Sequence, residues 1–102
     1  MTADGLVDPS EVDTLPVVVR THPVSWSRLA LHSRRRGIVI VQATVDATGR
    51  VEEVRVLRAD HDGFGIPQAV IQAVHRYRFD PAIKSGVPVK SHATVAKHYR
   101  FR

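Results

Sequence analysis

The stretch from Ile38 to Ala59 constrains the fold most. Ile38–Val45 is dense in β-branched residues, which suit a pleated, half-buried surface. Val39, Val41, Ala43 and Val45 alternate with Ile40, Gln42 and Thr44, so one face is apolar throughout and the other turns polar. Asp46–Arg50 is a short turn, in which Gly49 supplies positive φ and Asp46 bonds its own backbone. Val51–Ala59 then returns, with Val54 and Val56 on one face and Glu53 and Arg55 on the other. A two-stranded hairpin is marginal in water. The rest of the chain must therefore cover or extend this one.

The 102 residues, 43% of them apolar, are the right amount for one domain with one core. No run of eighteen apolar residues occurs, and residues 1–14 hold neither the basic nor the apolar region of a signal peptide. With no cysteine, disulfides and thiolate zinc sites are excluded. Charge is unevenly spread. Asp4, Asp8, Glu11 and Asp13 are the charged residues before Arg20, so this leader carries −4 and residues 20–102 carry +9 of the total of +5. A basic domain with an acidic leader is suited to anionic partners, although such charge more often serves as a solvated surface.

Met1–Thr14 is small, polar and acidic, and its composition predicts a disordered leader. Leu15–Arg20 is expected as a short strand that Pro16 confines to an edge. Pro23–Arg36 is expected as a first helix with Ser25 as N-cap, an apolar stripe of Trp26, Leu29 and Ala30, and Gly37 just past its end. Arg34, Arg35 and Arg36 would crowd its last turn, where cations suit the dipole. Pro67–Tyr77 is the second helix, with Ile66, Val70, Ala73, Val74 and Tyr77 as the stripe that covers the hairpin and Asp80-Pro81 as the stop. Lys84–Pro88 reads as a turn. Val89–Phe101 is the last strand, with Ala93, Val95, Tyr99 and Phe101 on one face, and Lys97 marks where that face leaves the core.

Catalytic patterns do not emerge. Asp60–Gly65 resembles half a calcium loop, but Phe64 and Ile71 stand where ligands belong. Of six histidines, His22, His32, His61, His75, His92 and His98, none pairs as His-x-x-x-His on a helix. His92 and His98 share a strand face but stand too far apart to chelate one ion. Glu52 and Glu53 point to opposite faces, and no serine sits in a Gly-x-Ser-x-Gly turn. The reading is a non-enzyme with no metal and no cofactor.

Several segments in order carry a resemblance: His22-Pro23, the arginine-rich stretch, Gly37 before a valine-rich strand, VDATGRVEEVRVLRA (45–59), AVIQAVHRYRFDPA (69–82), SGVPV (85–89) and a terminal HYRFR. Together they resemble the C-terminal domain of TonB-type energy transducers over residues 15–102. His22 stands where the family usually has Tyr, and Tyr77 where it has Trp. The family's membrane anchor and proline-rich spacer do not occur in this sequence. The expectation is a fragment, or a stand-alone homologue that does not transmit force.

The resulting expectation is an α+β fold: an antiparallel three-stranded sheet with two helices on one face, and room for a short N-terminal strand besides. Val89–Phe101 pairs with Ile38–Val45 through a right-handed crossover, leaving it and Val51–Ala59 as the two edges. The resemblance implies a periplasmic module that captures the extended TonB box of an outer-membrane transporter by strand addition to support active uptake. The segment Ser91, His92, Ala93, Thr94, Val95, Ala96 and Lys97 would receive it, with His22 nearby. Inner-membrane motor proteins enter as partners if an anchor precedes this chain. A second class of reading is a basic module that binds an anionic polymer (cell-wall glycan, lipid head groups or nucleic acid) through Arg34, Arg35, Arg36, Arg76 and Arg78. The absence of an aromatic stacking platform argues against nucleic acid. The last strand, as an open edge, is also expected to form a weak homodimer.

Overall fold

A computed structural model describes residues 5–102. Its elements in chain order are β1 (Val17–Arg20), α1 (Arg28–Leu31), β2 (Arg36–Val45), β3 (Val51–Ala59), α2 (Ile66–His75), β4 (Arg78–Asp80), β5 (Ala82–Lys84), β6 (Val87–Val89) and β7 (Ser91–Arg100). The main sheet is antiparallel in the order β3-β2-β7. The last strand therefore lies beside β2, as the crossover argument requires, and the α+β expectation holds.

The hairpin forms for the reasons legible in its sequence. The Asp46 carboxylate accepts from the Thr48 N–H at 2.8 Å, the Thr48 hydroxyl at 2.6 Å and the Arg50 N–H at 3.0 Å. Gly49 has φ 90°, and a methyl there would run into the Phe79 carbonyl. The Phe79 N–H in turn donates to the Gly49 carbonyl at 2.9 Å. This turn thus ties the hairpin to the strand that follows α2, and only glycine permits the approach.

One core lies on one face of the sheet. Val39, Val41, Ala43 and Val45 of β2 meet Ala30 of α1, Ile66, Val70 and Val74 of α2, and Tyr77 and Phe79. Burying each Val or Ile side chain contributes roughly 1.5–3 kcal/mol. The two helices therefore share one face, but the first is far shorter than expected. Helix from Pro23 shrinks to a single turn, Arg28–Leu31, because residues 21–27 form no regular element and Ser27 at their end is still extended. The N-cap is Ser27 rather than Ser25: its hydroxyl accepts from the Ala30 N–H at 3.1 Å and donates to the Phe64 carbonyl at 2.7 Å. Leu29 leaves the expected stripe and is 67% exposed, whereas Trp26 packs edge-on against Phe101 with ring centroids 5.1 Å apart.

Gly37 is not a helix cap. It is the second residue of β2, and a methyl there would meet the Tyr99 hydroxyl at 2.8 Å and Asp60 at 2.9 Å. Nor does Lys97 mark an exit from the core, since Tyr99 and Phe101 beyond it are both buried and stack at 5.3 Å. Tyr77 lies past the end of α2, and Asp80 belongs to a strand: β4 pairs with β1. The turn read at Lys84–Pro88 is a tight hairpin, β5 to β6, around Ser85 and Gly86, with φ 53° and 77°.

The leader departs from its expected disorder over the described part. Val7 is 2% exposed, its N–H donates to the Lys90 carbonyl at 2.8 Å, and the buried Ser91 hydroxyl donates to the Val7 carbonyl at 2.7 Å. Asp13 and Thr14 then bond Ile83 of β5. Composition predicted disorder because it counts charge and small residues, whereas two apolar side chains, Leu6 and Val7, supply the docking. Residues 1–4 of that expected leader lie outside the described residues.

Candidate functional site: the open edge of the sheet

Strand β7 pairs with β2 over ten consecutive positions, Arg36↔Arg100 to Val45↔Ser91, with no shift of register. The Phe101 N–H donates to the Arg35 carbonyl at 2.8 Å, which continues the same series by one pair. Hydrogen-bonded and non-bonded pairs alternate along an antiparallel ladder. Odd-numbered residues of β7 therefore bond β2. His92, Thr94, Ala96, His98 and Arg100 turn their N–H and C=O groups away from it. Lys90 shares that parity, and its carbonyl receives the Val7 N–H from the leader.

A hollow of about 350 Å³ opens beside the start of this edge, lined by Pro9, Leu15, Pro16, Val18, Phe79, His92 and Thr94 among others. Leu15, Pro16 and Val18 form an apolar part of its wall and belong to a longer apolar run. Leu15, Val17, Val18 and Val19 are all exposed, and all four residues of β1 face solvent. A run of exposed apolar residues signals a binding surface more often than an accident. Asp8 precedes Pro9 of this lining, and the Ser10 N–H and then the Ser10 hydroxyl hold its carboxyl below the usual range, with His92 adding a smaller attraction.

The chain matches the family model described as the Gram-negative bacterial TonB protein C-terminal over residues 22–101. It belongs to the TonB C-terminal family. The solution NMR structure of the Pseudomonas aeruginosa TonB CTD shares its fold, at a TM-score of 0.63 and 23% identity over 94% of each chain. Comparison with curated proteins returned no match. The family match begins at His22, so the leader and β1, which build one side of the hollow, lie outside it.

Within this TonB-type domain, the expected receiving stretch divides by parity. His92, Thr94 and Ala96 carry the outward backbone groups, whereas Ser91, Ala93, Val95 and Lys97 bond β2. Ser91 is fully buried, and Ala93 and Val95 pack on the core. The outward backbone groups continue past the expected receiving stretch, through His98 and Arg100, to the end of the expected edge strand. His22 is not beside it. The structure places His22 over α2, where it lines a separate hollow of about 270 Å³ with Pro23, Ala69, Gln72 and Arg76.

The five arginines expected to act together are split among several places. Arg34 and Arg36 line a hollow with Arg100, Phe101 and Arg102. Arg35 lies over the Phe64 ring, 5.1 Å from its centroid, and reaches His61 at 3.3 Å. Arg76 faces the His22 hollow, and Arg78 donates to the Tyr77 carbonyl at 3.0 Å. Sequence reasoning missed Leu15, Val18, Arg100 and Arg102. The apolar run Leu-Pro-Val-Val-Val was the available signal for the first pair. The arginines sit beside Phe101 only because of the β2–β7 register, which no local pattern encodes.

Proposed function

We propose that this domain receives an extended segment of an outer-membrane transporter, its TonB box, as a further strand on β7. The observation that carries the reading is the row of outward backbone groups at His92, Thr94, Ala96, His98 and Arg100 on an unshifted strand. In strand addition, main-chain hydrogen bonds supply affinity and flanking pockets supply selectivity. The hollow beside Leu15, Val18 and Thr94 is the pocket for an apolar side chain of the segment. On this reading the domain works in the periplasm as the receptor-contacting end of an energy transducer, and inner-membrane motor proteins act on it through whatever chain precedes it. The anionic-polymer reading loses support, because its five arginines do not gather.

Titration of the 15N-labelled chain with a TonB-box peptide tests the proposal. Amides of His92, Thr94, Ala96 and His98 should shift most. Shifts confined to α1 and α2 would overturn it. The same edge is expected to form a weak homodimer at high concentration, which the peptide should dissociate. A dimer population that peptide leaves unchanged in sedimentation would place that interface elsewhere.

A further inference from the structure

At the far end of β7 from the leader, Arg34, Arg36, Arg100 and Arg102 line one open hollow of about 470 Å³ with Phe101. Arg36 and Arg100 stand directly opposite each other across the ladder. Like charges in that relation destabilise a sheet. Among the described residues, none of these four side chains has a carboxylate partner: the ion pairs are Arg58–Asp60, Lys84–Glu11 and Lys90–Glu52. Arg34 adds a second departure from local economy. Its φ is 56°, in the left-handed region where a glycine would sit without strain. Strain and repulsion kept together in one place are typical of binding sites. All four cations are arginine, whose planar fork matches an oxyanion in two bonds, which lysine does not.

The hollow is continuous with the open edge, since Arg100 is the last residue that turns its backbone groups outward. A segment added along β7 must leave the sheet over this cluster. We infer that the segment bound at β7 carries acidic side chains just beyond its paired part, and that Arg34, Arg36, Arg100 and Arg102 hold them. This rests on the strand-addition reading and adds the chemistry of the partner to it. The hollow has room for a few carboxylates. Its place at the end of the open edge favours a peptide over a lipid surface.

The test uses the full chain, its R36Q/R102Q variant and three peptides: a TonB-box peptide, and the same peptide with a run of glutamates added at either end. The two added ends cover parallel and antiparallel pairing. The plain peptide should bind both proteins equally. One of the two extended peptides should bind the wild-type chain about three- to tenfold tighter than the plain one, a gain expected of a few exposed charge pairs. High salt should remove most of that gain, and the variant should lack it. The variant should also be at least as heat-stable as the wild type, because it removes a like-charge pair, so misfolding is distinguished from lost contacts. Equal binding of plain and extended peptides, or a gain that survives in the variant, overturns the inference and leaves strand addition standing. Failure of the plain peptide to bind sinks strand addition and this inference with it. Phosphatidylglycerol vesicles that retain the wild type but not the variant, without any peptide gain, would reassign the cluster to a lipid surface.

Discussion

The two edges of the main sheet are built on opposite plans. Strand β3 meets β2 with two register shifts, at Ile40/Val41 and Thr44/Val45, and places Glu52, Glu53, Arg55 and Arg58 along its exposed positions. Bulges and charges are the devices that keep an edge from pairing with strangers. Strand β7 has an unshifted register over ten pairs, and its outward-facing residues include Thr94 and Ala96. One edge carries bulges and charges that discourage addition and the other has an unbroken register, although both flank the same central strand. The contrast shows that openness is a local property of register and side chains, not of position at the rim.

The largest effect expected from breaking this contrast lies on the closed side. Gly49→Ala puts a methyl into the Phe79 carbonyl at a residue with φ 90°. It should cost about 2–4 kcal/mol of unfolding free energy in urea titrations. Well below its melting temperature, the variant should still bind peptide at β7.

On the open side, Ala96→Pro removes one outward N–H while leaving the bonds to β2 in place, a setting in which an edge strand accepts proline. Peptide affinity should fall about tenfold or more, with the melting temperature within a few degrees of wild type. Equal affinity would mean that the added strand does not use this edge.

A smaller change concerns the leader at the start of the same edge. Val7→Ala removes part of a fully buried side chain. Docking of the leader should weaken by about 1–2 kcal/mol. Amide exchange at Val7 should then speed up by about five- to thirtyfold while α2 exchange is unchanged.

The smallest effect is a pH dependence at the closed edge. Burial opposes ionisation of Asp46, but the Thr48 hydroxyl and the Arg50 and Thr48 N–H groups outweigh it and hold the carboxyl below its ordinary 3.8. A depressed folded-state pKa contributes stability above the unfolded value, and that stability is lost as pH falls through the folded one. Asp46→Asn should therefore lower stability at neutral pH and flatten its decline below about pH 4. An unchanged acid limb in thermal melts would remove Asp46 from that account.

How much of this could be read from residues alone varies by element. The hairpin and β7 were legible because period-2 alternation is strong over eight or more residues, and the crossover rule then fixed the order of strands. The first helix was misread. Trp26, Leu29 and Ala30 mimic a helical stripe, but Val24 and Trp26 both turn inward, which is a strand-like period, and Ser27 starts the helix late. Strands β4, β5 and β6 have three residues each, too few to show any period. Of the site, the stretch on β7 was legible and its division by parity was not. Parity depends on which β2 residue faces which β7 residue, a pairing decided by tertiary packing. Placing His22 at the edge followed from family resemblance alone, and the structure sets it over α2.

The unshifted β2–β7 ladder also limits how such a chain can change over generations. Substitutions on the outer face of β7, at Thr94, Ala96 or His98, alter neither pairing nor core. A single inserted or deleted residue between Ser91 and Tyr99 would do both. It would move the Tyr99 and Phe101 rings to the opposite face, away from Trp26, and exchange every outward backbone group for an inward one. Lineages descended from this chain should therefore vary freely at the outer-face positions of β7 while its length stays constant, or changes by two residues at a time.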